Sequence, residues 1–274
     1  MDALSVAAAL TSAVLHAGWN AVVKADARPS AAMAAQMQAS GLIALPALAV
    51  TGMPAAASLP FIVAAAALNL FAVTALLRAY ETGGFALVYP LLRALCVLMV
   101  VPMAAAVAGE LPGPFALGGV ATVAAALALL THGGALGRVT LGWTLASAVC
   151  IAACVVLDAQ GVRRSGAPFA YASATMIANG VAMYLLLGVR RGAWSVSARA
   201  MARAAPVALA AVISYSLILW VYSRAPIAPS AALRDTSAVF ALIIAVVWLK
   251  ERLSPRQTAA ILLAAAAVPL LRLG

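Results

Sequence analysis

The sequence predicts an all-α integral membrane protein, with ten transmembrane helices arranged as two inverted five-helix repeats. Three observations predict it. Apolar residues make up 66% of the 274 residues and charged residues only 9%, against roughly 25% charged in a soluble domain. Ten apolar stretches of spanning length follow one another along the chain. Scarce charged residues and prolines recur between the two halves at a constant offset.

The mean hydropathy is +1.09. So little polar surface cannot solvate a globule, and most of the outer surface must meet lipid. The formal net charge is +10, but the basic residues sit at the ends of apolar stretches rather than along one face. That pattern fits charged loops at a membrane surface and argues against nucleic-acid binding. Cys96, Cys150 and Cys154 all lie inside apolar stretches. No His or acid beside them completes a metal set, so they read as small packing residues. The start Met1-Asp2-Ala3 has no basic flank, and the first apolar stretch reads as a retained span rather than a cleaved signal.

A spanning helix needs about 20 apolar residues. Stretches of that kind fit at 3–23, 30–51, 58–80, 84–108, 113–132, 141–160, 168–188, 204–223, 227–250 and 255–273. Turn chemistry marks the breaks, as in Gly109-Glu-Leu-Pro-Gly-Pro114, His132-Gly-Gly134 and Lys250-Glu-Arg-Leu-Ser-Pro255. The one long loop is expected at about 189–203. No room is left for a soluble domain, and no Gly-rich phosphate loop is present, so a pump driven by ATP on this chain is not expected.

The halves, 1–134 and 135–274, resemble each other. Arg93, Glu110 and Pro114 in the first correspond to Arg234, Glu251 and Pro255 in the second, each at an offset of 141. A weaker match links Ser12-Ala13-Val14 to Ser147-Ala148-Val149. Each half holds five spans, an odd number, so tandem copies must lie in opposite orientations. Inverted repeats are a hallmark of secondary transporters, which place the substrate between the copies near the midplane.

Span one carries His16-Ala17-Gly18-Trp19-Asn20 with Lys24, and a short turn with Gly109-Glu110 or Lys250-Glu251-Arg252 precedes the last span of each half. With these motifs the chain resembles the drug/metabolite transporter superfamily, in its EamA-type ten-span branch, over nearly its whole length. The second copy has Lys250 where the family often has Gly. The resemblance implies a secondary exporter of amino acids, other metabolites or drugs in a cell (inner or plasma) membrane. It implies no enzyme and no cofactor.

Ionisable groups within spans cost roughly 2.5–3.5 kcal/mol each on insertion scales, which makes them the default functional candidates. His16, Asn20 and Lys24 fall at i, i+4 and i+8 with Trp19 beside them, as a cavity wall or as an interhelical hydrogen-bond stripe with Lys24 at its end. Tyr89 and Arg93 are spaced i,i+4 in span four, and Arg234 is the repeat mate of Arg93 in span nine. Such a pair could clamp a carboxylate, or each Arg could pair with an acid; Asp235 and Asp158 are available. Asp158 shares a stripe with Ser147, Cys150 and Cys154 and is a coupling candidate together with His16, although it sits near the expected span end. Tyr215 in span eight is a further cavity candidate, while Trp220 and Tyr222 suit interfacial anchoring. Asp235 has Ala94 as its repeat mate, an asymmetry suited to a zwitterion.

The substrate set is thus His16, Trp19, Asn20, Lys24, Tyr89, Arg93, Tyr215, Arg234 and Asp235, with no metal ligands among them. The cation excess favours a zwitterionic or carboxylate-bearing small molecule over a cationic drug. A broad-specificity drug exporter and, more remotely, an integral membrane enzyme are the alternatives, and a monomer is expected. Orientation is pulled both ways. With the N-terminus outside, ten basic residues would lie on the cytoplasmic side against four, whereas the resemblance implies cytoplasmic termini.

Overall fold

The computed structural model of the chain describes residues 1–109, 113–131, 137–191, 196–248, 250 and 254–273. The expected turn residues Glu110, His132, Glu251 and Arg252 lie outside them. Eleven α-helices run through the described residues. They are α1 (Ala3–Ala25), α2 (Pro29–Thr51), α3 (Leu59–Thr82), α4 (Phe85–Ala108), α5 (Pro114–Thr131), α6 (Arg138–Ser165), α7 (Pro168–Arg191), α8 (Ala198–Tyr222), α9 (Ile227–Asp235), α10 (Ser237–Val247) and α11 (Pro255–Leu273). Seven of them, α1–α4 and α6–α8, are long and apolar enough to cross a membrane.

Helix ends follow local chemistry. Asp2 caps α1 by accepting from the Ser5 N–H at 2.7 Å, and Pro29 opens α2 at a position where its missing N–H costs nothing. Gly109 ends α4 in the left-handed region at φ 68°. Lys250, which the sequence repeat pairs with Gly109, also has positive φ, at 54°. A positive φ is therefore shared by both positions although the glycine is not. A left-handed non-glycine residue costs roughly 1–2 kcal/mol. Gly109→Ala is expected to lower stability by about 1 kcal/mol. Lys250→Gly should cost nothing and raise the melting temperature slightly; thermal unfolding of the two variants checks both.

The stretch 227–250, expected as one span, is interrupted at Thr236. The Thr236 hydroxyl donates to the Leu233 carbonyl at 2.7 Å, and its N–H turns to the same carbonyl at 3.3 Å. This tight turn replaces the helical i to i−4 bond. It leaves Arg234 in the last turn of α9, where the helix dipole favours a cation.

The helices expose apolar side chains and bury small and polar ones. Val50, Val63 and Leu4 face outward at 88%, 69% and 66% exposure, while Ser12, Thr144, Ser147 and Ser214 are fully buried. α3 lies along α6 and α1 along α8; α2 packs on α7 and α8, α3 on α7, α4 on α6, α1 on α9 and α10, and α5 on α11. Small residues let these backbones approach. A Cβ on Gly180 would stand 3.1 Å from the Met37 carbonyl oxygen, and one on Gly41 3.5 Å from the Gly180 Cα, so α2 and α7 cross in backbone contact. Hydroxyls tie the other crossings. Ser12 donates to the Ser214 carbonyl at 2.7 Å across α1–α8, and Ser147 donates to the Ala72 carbonyl at 2.9 Å across α6–α3. Cys96 and Cys154 are buried packing residues, and all three cysteines are free thiols.

Candidate functional site

These crossings leave a central cavity of about 140 Å³, walled by α1, α2, α3, α4, α6, α7, α8 and α9. The helical repeat explains how each helix contributes. His16, Trp19 and Asn20 of α1 fall on one face, as do Gln36 and Ser40 of α2, Cys154 and Asp158 of α6, Thr175 and Asn179 of α7, and Ala211 and Tyr215 of α8. Amides line part of the wall: Asn69 donates to the Asn179 side-chain oxygen at 3.0 Å and Gln36 to the Ser40 hydroxyl at 2.8 Å. Met33, Met37 and Met176 form an apolar part.

One edge of the cavity is a cationic cluster. Arg93 of α4 donates through Nη1 to Asp235 Oδ1 at 3.1 Å, with both side chains 6% exposed. Arg93 Nη2 lies 2.8 Å from His16 Nε2, and Arg234 Nη2 lies 3.2 Å from His16 Nδ1. The two arginines thus flank one imidazole from its two nitrogens. A guanidinium only donates, and a neutral imidazole has a single acceptor nitrogen. His16 therefore accepts from one arginine at a time, and an imidazolium would accept from neither. Tyr89 backs the cluster: its ring centroid is 5.3 Å from the Arg93 guanidinium carbon, and its hydroxyl donates to Ser237 at 3.2 Å.

On the α6 side, Asp158 is buried and accepts from the Tyr215 hydroxyl at 2.7 Å and the Tyr171 hydroxyl at 3.3 Å. A second cavity, of about 370 Å³, lies between the end of α1 and the starts of α2 and α8, beside Arg28 and Arg203. Gln36 lines both cavities.

Residues 139–273 match the model of the EamA-like transporter family. The second half of this chain is an EamA-like transporter domain. The chain is accordingly a multi-pass membrane protein, and its residues 139–273 are a domain of the drug/metabolite transporter superfamily, whose members are transporters. The solved crystal structure of another protein aligns over 100% of this chain and 98% of its own. Its TM-score is 0.68 at 17% identity, a likeness of fold. No curated protein matches the sequence.

Six of the residues singled out from sequence line the cavity: His16, Trp19, Asn20, Arg93, Tyr215 and Arg234, joined by the coupling candidate Asp158. Tyr89 and Asp235 stand behind the wall, holding Arg93. Lys24 is set apart from the cavity lining: its ammonium donates to the Tyr80 carbonyl at 3.3 Å, near the end of α3. Tyr222, expected at an interface, is buried at 1% exposure. Gln36, Ser40, Asn69, Thr175 and Asn179 were not singled out. Their signal was present, since Gln36/Ser40 and Thr175/Asn179 are i,i+4 polar pairs inside apolar helices. Among the described residues no group of His, Cys, Asp or Glu is placed to hold a metal ion.

Proposed function

We propose that this protein is a secondary active transporter that exports amino acids or similar small carboxylate-bearing metabolites across a cell membrane. It does so by alternating access between two inverted five-helix units, 1–134 and 135–274.

The packing supports the repeat. With α9 and α10 taken as one broken span, each helix has a partner five spans away. Exchanging partners turns the α3–α6 crossing into α8–α1, α2–α8 into α7–α3, and α4–α6 into the packing of α9 and α10 on α1. It returns α2–α7 and α5–α11 to themselves, and every one of these pairs is in contact. The hydrogen bonds follow the same exchange: Ser12 and Ser147, matched in sequence, each bind a carbonyl of the exchanged helix. Two units that swap contacts in this way can rock about a site between them.

The observation that carries the reading is the cavity itself. It lies where both units meet, with Arg234 and Arg93 on one side and Asp158 on another. Charge buried at this depth in a membrane protein marks a substrate or ion path. Its 140 Å³ is below the roughly 300–1,000 Å³ typical of drug-sized pockets, which favours small metabolites over a broad-specificity drug exporter.

Purified protein in liposomes loaded with a labelled amino-acid panel tests this. Saturable counterflow of at least one zwitterionic or anionic member is expected. Movement of cationic dyes alone, with none of the panel exchanged, would overturn it.

A further inference from the structure

The two charged walls of the cavity differ in what already satisfies them, and that difference separates the roles of the two repeat-related arginines. Arg93 has a buried carboxylate partner in Asp235 at 3.1 Å. Arg234 has none: among the described residues the ion pairs are Arg93–Asp235 and the exposed Arg78–Glu81. Its hydrogen-bond contact is with an uncharged acceptor, His16 Nδ1, at 3.2 Å, and its Nε is buried without a partner. That contact is also the weaker claim on His16, because Arg93 approaches the other ring nitrogen at 2.8 Å and only one nitrogen can accept.

Asp158 is the mirror case. Both its oxygens are engaged, but by the tyrosine hydroxyls of Tyr215 and Tyr171, not by a cation. An ionised carboxylate offers about four lone-pair sites, so two donors leave capacity for an ammonium group. Arg234 and Asp158 line the same cavity on touching helices, α9 and α6, without forming an ion pair with each other. A cation and an anion that, among the described residues, form no contact ion pair and face one small space match a molecule carrying both charges. Beside them stand Met33, Met37 and Met176, whose unbranched side chains adapt to apolar groups of different shape.

We propose that Arg234 and Asp158 are the two poles of a zwitterion site. Arg234 takes the carboxylate and Asp158 the ammonium of an α-amino acid with an apolar side chain, while Asp235 holds Arg93 out of substrate binding. The proposal rests on the transport reading above but is tested by binding alone.

Three probes separate the poles: leucine, its decarboxylated amine 3-methylbutylamine, and its deaminated acid 4-methylpentanoate. Each is titrated against the purified full chain in detergent, by calorimetry or thermal shift. The wild type is expected to prefer leucine to either half-molecule by roughly tenfold or more, the scale of one charge-assisted hydrogen-bonded contact. Arg234→Gln should abolish the preference for leucine over the amine and leave the preference over the acid. Asp158→Asn should do the reverse. Arg234→Lys keeps the charge without the fork and should restore part of the lost preference. Because each variant is judged by a ratio within its own folded population, lost stability cannot imitate the result. Leucine binding no tighter than its halves in the wild type, or unchanged ratios in both variants, overturns the proposal. The expected ratios in a protein that moves no amino acid in liposomes would leave the poles standing and remove the export reading. Amino-acid counterflow with unchanged ratios would do the opposite.

Discussion

Asp235→Ala is expected to destabilise the folded protein by about 3–5 kcal/mol, the scale for removing one partner of a buried ion pair. Asp235 and Arg93 are each 6% exposed and meet at 3.1 Å. Removing the carboxylate leaves a buried guanidinium with an imidazole as its remaining hydrogen-bond partner, and with Nε already unpaired. Asp235 is also the last residue of α9, next to the break at Thr236. Asp235→Asn keeps an acceptor oxygen and should fall between Ala and wild type. The double change Arg93→Met with Asp235→Leu removes both charges at similar volume, and should recover most of the loss because no orphan charge remains. Thermal unfolding and the monodisperse fraction after purification read all three. A double variant as unstable as Asp235→Ala would show that packing, not charge pairing, dominates at this crossing.

The membrane class was legible from composition because the physics is collective: 9% charge cannot be folded into a water-soluble surface. The polar stripe was legible for the same reason that a core helix is, since His16 and Asn20 share a face and lipid does not accept them. Which acid serves which arginine was not legible. Asp158 and Asp235 were equal candidates until the fold brought Asp235 to Arg93 and surrounded Asp158 with tyrosines. The depth of Asp158 turns on a boundary: α6 runs on to Ser165, past the expected end at 160, so the carboxylate lies further from the helix end. The interruption at Thr236 hid because one hydroxyl makes it, inside a stretch whose apolar pattern continues on both sides. The amides of the wall hid because neutral polar residues in a span signal far less strongly than charges do.

Gly161→Ala is expected to lower stability by about 2 kcal/mol and to weaken the Asp158 site with it. Gly161 lies on the buried face of α6, where an added Cβ would stand 2.7 Å from Tyr171 Cε2 and 2.7 Å from the Phe61 Cβ. Real Cβ atoms essentially never sit so close, and the Phe61 Cβ moves only with its backbone. Overpacking of this kind costs typically about 1–3 kcal/mol. A helical Gly→Ala change regains up to about 1 kcal/mol of propensity, so the clash must lie at the upper end to dominate, and two close contacts on different helices place it there. The ring that must yield is that of Tyr171, fully buried, whose hydroxyl donates to Asp158 at 3.3 Å. Pushing it aside loosens one of the two donors that hold the carboxylate, and leucine binding should fall even in the fraction that stays folded. Tyr171→Phe removes the same hydroxyl without adding a methyl, and should reproduce the binding defect with a smaller loss of stability. Tyr171→Leu combined with Gly161→Ala relieves much of the clash and should restore stability but not binding. Melting temperature and leucine affinity, measured on the three variants, separate the packing effect from the site effect. A Gly161→Ala protein that melts like the wild type and binds leucine as well would refute the close approach of α6, Phe61 and Tyr171 on which the geometry of Asp158 depends.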